Sequence, residues 1–345
     1  MKSTFNKDYT LDVLKNIMAI DSPSGFTGEA VKKLARYVEE IGFSYELTNK
    51  GNLIVDIPGK SDKTVALAAH LDTLGLMVRS IKSDGTLAFR KIGGVILNTV
   101  DGEYCNIYTR CGKVYTGTIL SNSPSGHVYP DAHTRARDEE NMHVRLDERV
   151  KNKADVEALG INTGDFICYD PKMQVTPTGF VKSRFLDDKV CVATLMGIIK
   201  YLKESGEQPS HNLKVIFTCY EEVGHGMSYI PPGISEVVGV DMGCVGLDLN
   251  CSEYDVAICA RDSGTGPYDY ELVTRLSNLA KSNNLDYVID IFDRYGSDVS
   301  ASLRGGNDVR GCVIGPGVAA SHGMERTHLD AVENTYQLIM LYLMS

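Results

Sequence analysis

The run Leu213-Lys214-Val215-Ile216-Phe217-Thr218-Cys219-Tyr220-Glu221-Glu222-Val223-Gly224 constrains this chain more than any other. An apolar, β-type segment ends in two adjacent carboxylates, and Val-Gly then releases the backbone. Two neighbouring carboxylates at the end of a buried strand repel each other and lose water, and both effects are costly. Such a pair is easiest to keep if a cation neutralises it or if one partner stays protonated. The other residues of a cation site should then lie elsewhere in the chain.

Two further segments have the same form. Residues 64–69 are apolar and end in His70-Leu71-Asp72. Residues 243–247 read as a buried strand ending in Asp248. Asp187-Asp188-Lys189 opens a helix with Val190, Ala193, Leu195 and Ile198 on its apolar side. Residues 311–314 read as a short strand before the turn Gly315-Pro316-Gly317, with His322 soon after. Around these, residues 9–19 and 27–41 are helical, the second stopped by Gly42. Residues 45–57 form a hairpin about Asn49-Lys50-Gly51-Asn52. A helix over 269–280, a strand over 285–292 and a closing helix over 332–344 complete the α/β part.

Between residues 75 and 179 the texture changes. Short β-like runs at 76–81, 86–91, 104–108, 114–120 and 166–169 alternate with Gly, Asp and Asn turns, and residues 131–153 are polar. The expected fold is α/β: a mixed sheet with helices on both faces, interrupted by a small β-barrel. The α/β domain spans 1–73 and 180–345, and the inserted barrel spans 74–179.

Ligands of open α/β sheets bind beyond the carboxyl ends of the strands. His70, Asp187, Glu221, Glu222 and Asp248 fall at such ends or at a helix start. Imidazole mixed with hard oxygen donors suits zinc, cobalt or manganese. The number of carboxylates allows two metals with one Asp between them. Taken singly, each residue has a plainer reading: Asp187-Asp188 as a helix cap, Asp248 as a turn cap, a lone His as a surface group. The arrangement favours the metal. Asp72, two residues past His70, is suited to orient the imidazole through its second ring nitrogen.

Lys and Arg number 35 against 45 Asp and Glu, a formal net charge of −10. That balance argues against nucleic acid or an anionic membrane as a partner. Nine Cys, an odd number without a C-x-x-C, read as buried reduced thiols. Met1–Lys7 lacks the apolar core of a signal peptide, and no run of about 18 apolar residues occurs. A cytoplasmic location is expected.

Five motifs occur in one order: His70-Leu71-Asp72-Thr73, Asp187-Asp188-Lys189, Glu221-Glu222-Val223-Gly224, Gly246-Leu247-Asp248 and Ser321-His322-Gly323-Met324-Glu325. Together they resemble the glutamyl aminopeptidase, or endoglucanase-M, family of dinuclear metallopeptidases, which includes the tetrahedral aminopeptidases. The resemblance covers nearly the whole chain, and it implies a phosphorylase/hydrolase-like catalytic domain for residues 1–73 and 180–345. It implies that His70 and Asp248 hold one divalent ion, that Glu222 and His322 hold a second, and that Asp187 bridges them. Glu221 is then the general base on a metal-bridging water. The implied activity is removal of N-terminal residues from short peptides. The inserted domain is implied to mediate dimerisation and assembly into a homo-oligomer, a dodecamer among the family's forms.

The long gap lies early, 115 positions from 72 to 187, against 74 from 248 to 322. In the related carboxypeptidases and acylases the insertion falls late, so the early gap favours the aminopeptidases; an N-acyl amino-acid deacylase or carboxypeptidase of the same dinuclear metal chemistry is the alternative reading. A glycosidase would need two carboxyls across a sugar, roughly 5–9.5 Å apart, which adjacent Glu221 and Glu222 fit poorly. Gly296-Ser297-Asp298 resembles a family stretch beside the substrate, though a helix cap explains it equally well. Arg261 and Arg326 read as surface pairs before substrate contacts.

Overall fold

A computed structural model describes residues 4–345. The first three residues of the Met1–Lys7 segment, read above for its lack of a leader core, lie outside the described residues. The chain divides into two compact units, one comprising the residues up to Asp72 together with Lys172–Ser345, the other Thr73–Pro171. The second boundary falls before 180 because strands Gln174–Val175 and Phe180–Ser183 pair with each other and, through Phe180–Ser183, with Glu325–His328 of the larger unit.

The larger unit is built on a 13-stranded mixed sheet. Thr64–His70, Asn212–Thr218, Ile234–Val240 and the first half of Arg310–Ala319 form its parallel centre. These are apolar runs, as expected of strands covered on both faces. Their register is decisive for the site: Thr218 lies opposite His70, Gly239 opposite Ala68, and Val240 opposite Ile314. The residues that follow Thr218 and Val240 therefore emerge beside His70 on one edge of the sheet.

Helix Leu186–Ser205 is buried along most of its length because it packs on the Thr64–His70 strand and against helices Lys7–Met18 and Leu329–Met344. Lys189, 1% exposed, donates its ammonium hydrogens to the carbonyls of Ile17 and Ile20 at 2.9 Å, closing the end of the first helix.

Two expectations change here. The buried strand that ends in a carboxylate is Ile234–Val240, followed by Asp241, whereas Gly243–Val245 is a three-residue strand beside Gly317–Ala319. Gly315-Pro316-Gly317 is not a turn: it lies inside Arg310–Ala319, with Pro316 opposite Val256. A Cβ on Gly315 would stand 2.0 Å from the Asp241 carbonyl oxygen, so this close approach requires glycine.

The smaller unit is a closed barrel of six antiparallel strands, with Leu76, Val78, Leu87, Phe89, Ile107, Ile119, Val144 and Ile167 buried. The polar stretch 131–153 supplies one of its staves, Met142–Leu146, and helix Lys153–Leu159 begins at its end.

Candidate metal centre

His70, Asp187, Glu221, Glu222 and His322 converge at the carboxyl edge of the parallel strands. The imidazole Nε2 of His70 lies 3.1 Å from Asp187 Oδ1 and 3.7 Å from Glu221 Oε2. The opposite oxygen of Asp187, Oδ2, lies 3.5 Å from His322 Nε2, which is 3.6 Å from Glu222 Oε2. Asp187 thus presents one oxygen to each histidine.

Asp248 does not join them. It is exposed, in a left-handed backbone conformation (φ 59°), on a loop lining a separate cavity of about 910 Å³ with Arg261, Asp290 and Arg294. Asp241, 6% exposed, lies beside His70 instead. Ligand atoms of His70, Asp188 and Asp241 lie within 4.8 Å of one another, as do those of His70, Asp187 and Glu222. The signal for Asp241 was present in Val237-Val238-Gly239-Val240, an apolar run ending in a carboxylate just as residues 64–69 end in His70.

The part played by Asp72 also differs from expectation. His70 Nδ1 faces the Asp72 backbone carbonyl at 2.9 Å, which fixes the ring, while the nearer carboxylate oxygen is 3.7 Å away. The carboxylate instead accepts the backbone N–H groups of Glu221 (3.1 Å) and Glu222 (3.3 Å) and the hydroxyl of Ser24. It therefore fixes the turn that carries both glutamates. At the far end of that turn, buried Asp298 accepts the N–H of Met227 at 2.8 Å and the Thr218 hydroxyl. Ser297 caps helix Asp298–Arg304, so the Gly296-Ser297-Asp298 stretch both starts a helix and braces this turn.

The electrostatics are those of a site short of positive charge. Burial first, then the charge of Asp187, pushes Glu222 up to about 8. The same two causes push Asp241 up to about 7. Burial sends Glu221 well above the ordinary carboxylate range, helped by Asp241, Asp298 and Glu222 and opposed by His70. Burial alone would raise Asp187, but its contacts with His322 and His70 outweigh it and hold the carboxyl well below its usual range. Burial lowers His70, yet Asp187 and the charges of Glu221, Asp188 and Asp72 carry it well above its usual value. Protons crowd where carboxylates cannot all ionise, and a divalent cation would replace them. The donor set fits such an ion: two imidazoles, several carboxylates, and a buried Asp241 Oδ1 with no hydrogen-bond partner.

The remaining candidates are accounted for locally. Arg261 pairs with Asp293 at 2.8 Å, and Arg326 grips Glu253 with two bonds of 2.6 and 2.7 Å. Of the histidines outside the five motifs, His143 bonds Asn122 and His225 stacks on Tyr220.

A family model described as M42 glutamyl aminopeptidase matches residues 51–338. The Bacillus subtilis (strain 168) protein named "Putative aminopeptidase YhfE" is 42% identical over 338 residues, covering 97% of both chains. A lysyl aminopeptidase of Pyrococcus furiosus is 24% identical over 237 residues, 67% of this chain and 65% of the relative. Among solved structures, the Pyrococcus horikoshii TET1 peptidase, described as assembling into a tetrahedron or a large octahedral shell, superposes with a TM-score of 0.84 at 23% identity. The match covers 97% of this chain and 99% of that one, a likeness of fold.

Proposed function

This chain belongs to the M42 glutamyl aminopeptidase family, and on that premise we propose that it is a metal-dependent aminopeptidase whose centre is His70, Asp187, Glu222, Asp241 and His322, with Glu221 as the base. The observation that carries this reading is Asp187, which turns one carboxylate oxygen to each of two histidines. His70 and Asp241 would hold one divalent ion and Glu222 and His322 a second, with Asp187 between them. Zinc, cobalt and manganese all suit the donors. Such ions supply Lewis acidity, lowering the pKa of water and polarising a scissile carbonyl.

The chain's own groups do the rest. Asp72 fixes the backbone of Glu221 and Glu222, so their side chains leave the turn in set directions. Glu221 is pushed up by burial, which makes it able to hold a proton taken from water and to pass it to the leaving amine nitrogen. His70 is locked by the Asp72 carbonyl.

The substrates are short peptides with a free amino end, and the chain assembles into a homo-oligomer, with the barrel as the assembly domain. The tetrahedral and octahedral assemblies described for the Pyrococcus horikoshii TET1 peptidase support the homo-oligomer. A cytoplasmic location is supported by nine free cysteines. Among the described residues no helix is long and apolar enough to cross a membrane.

The test is release of amino acids from matched peptides with free and N-acetylated ends, after chelation and re-addition of zinc, cobalt or manganese, alongside Glu221→Ala. Metal-dependent release from free ends only, reduced roughly 1,000-fold or more in the variant, is expected. Release from acetylated ends in preference would move the reading to the deacylase.

A further inference from the structure

Glu325 has no role in the chemistry above, yet it is 2% exposed and lies against two of the proposed ligands. Its Oε2 accepts the backbone N–H of Asp187 at 3.0 Å, and its Oε1 accepts the backbone N–H of His322 at 3.0 Å. One carboxylate thus joins two residues 135 positions apart, from 187 to 322. Both of its oxygens accept from backbone groups, and it belongs to neither cluster of candidate ligand atoms.

The sheet explains how it reaches both. Glu325 opens strand Glu325–His328 and lies opposite Ser183, the last residue of Phe180–Ser183. From that rung the chain runs onward through Arg184, Phe185 and Leu186 to Asp187, and backward through Met324 and Gly323 to His322. The two ligand-bearing segments therefore diverge from one pairing, and the Glu325 side chain closes the opening between them. His322 has φ 65°, a left-handed conformation that only a few per cent of residues other than glycine adopt, and it is held with local support. The bond from its own N–H to Glu325 is that support.

We propose that Glu325 is a positioning residue of the metal centre: by accepting both backbone N–H groups it sets the separation and orientation of Asp187 and His322 before an ion arrives. This rests on the ligand assignment above. Outer groups that orient metal ligands typically contribute 10- to 100-fold in metal affinity or activity.

Glu325→Gln tests it at nearly constant volume, because an amide can accept only one of the two N–H groups and turns an N–H toward the other. Glu325→Ala is the second variant, removing both acceptors without adding a donor. Zinc binding to chelator-treated full-length protein would be followed by titration calorimetry, and cobalt-loaded protein by its visible d–d spectrum. The expected result is a zinc Kd weakened 10- to 100-fold in both variants, with a changed cobalt spectrum and a fall in kcat at little-changed KM. Melting of the metal-free protein should remain cooperative. Wild-type affinity with an unchanged cobalt spectrum in either folded variant would overturn the proposal. Loss of the metal-free fold in both would also overturn it, making Glu325 a structural residue. If the wild-type protein itself bound neither ion, the ligand assignment would fail instead.

Discussion

Asp241 and Asp248 separate what a residue's sequence neighbourhood suggests from where the chain puts it. Both follow apolar runs, but only the first run is a buried strand of the parallel centre. Asp241→Asn should reduce zinc affinity and lower kcat/KM roughly 100-fold or more, while Asp248→Asn should leave both within about twofold. Equal effects in calorimetry and peptide assays would return the role to Asp248. The pH dependence follows from the same residues. Without metal, Asp241 and Glu222 titrate near 7 and 8, far above their unfolded values, and His70 is also raised. The folded protein then binds more protons than the unfolded chain, so its stability falls as pH rises through that range. Asp187 is shifted the other way, and its contribution is lost only in acid. The melting temperature of metal-free protein should therefore fall from about pH 5.5 to about pH 8.5, while the gain on adding zinc grows. A metal-free melting temperature that rises over this interval would contradict the assignment.

At the scale of elements, the periodic and apolar segments were legible in the sequence. The strands ending at His70 and Thr218 and the helix after Asp187 declare themselves by composition; five of the six proposed ligand and base positions were marked by the ordered motifs. What was not legible depended on close approach between distant segments. Gly315-Pro316-Gly317 has turn chemistry, yet the chain stays extended because the Asp241 carbonyl passes where a Cβ would be. The roles of Asp72 and Glu325 were hidden for the same reason: each accepts backbone N–H groups, which carry no side-chain signature. Gly315→Ala should force the Asp241 backbone away, costing about 2 kcal/mol of stability and weakening metal binding together. Urea unfolding and zinc titration would check this; lost stability with metal affinity intact would separate the glycine from the site.

At the scale of the whole molecule, a large mixed sheet positions the centre and a six-stranded barrel is inserted between its first 72 residues and the rest. The barrel was visible as short β-runs, but the stave Met142–Leu146 was concealed by the charged stretch around it. Light scattering should give a mass several times that of one chain, and a monomer would remove assembly from the account. The most direct test of the central claim is anomalous diffraction from crystals of the zinc-loaded protein. The account predicts two peaks, one on each side of the Asp187 carboxylate, the first against His70 and Asp241, the second against Glu222 and His322. A peak at Asp248, or none beside Asp187, would contradict it.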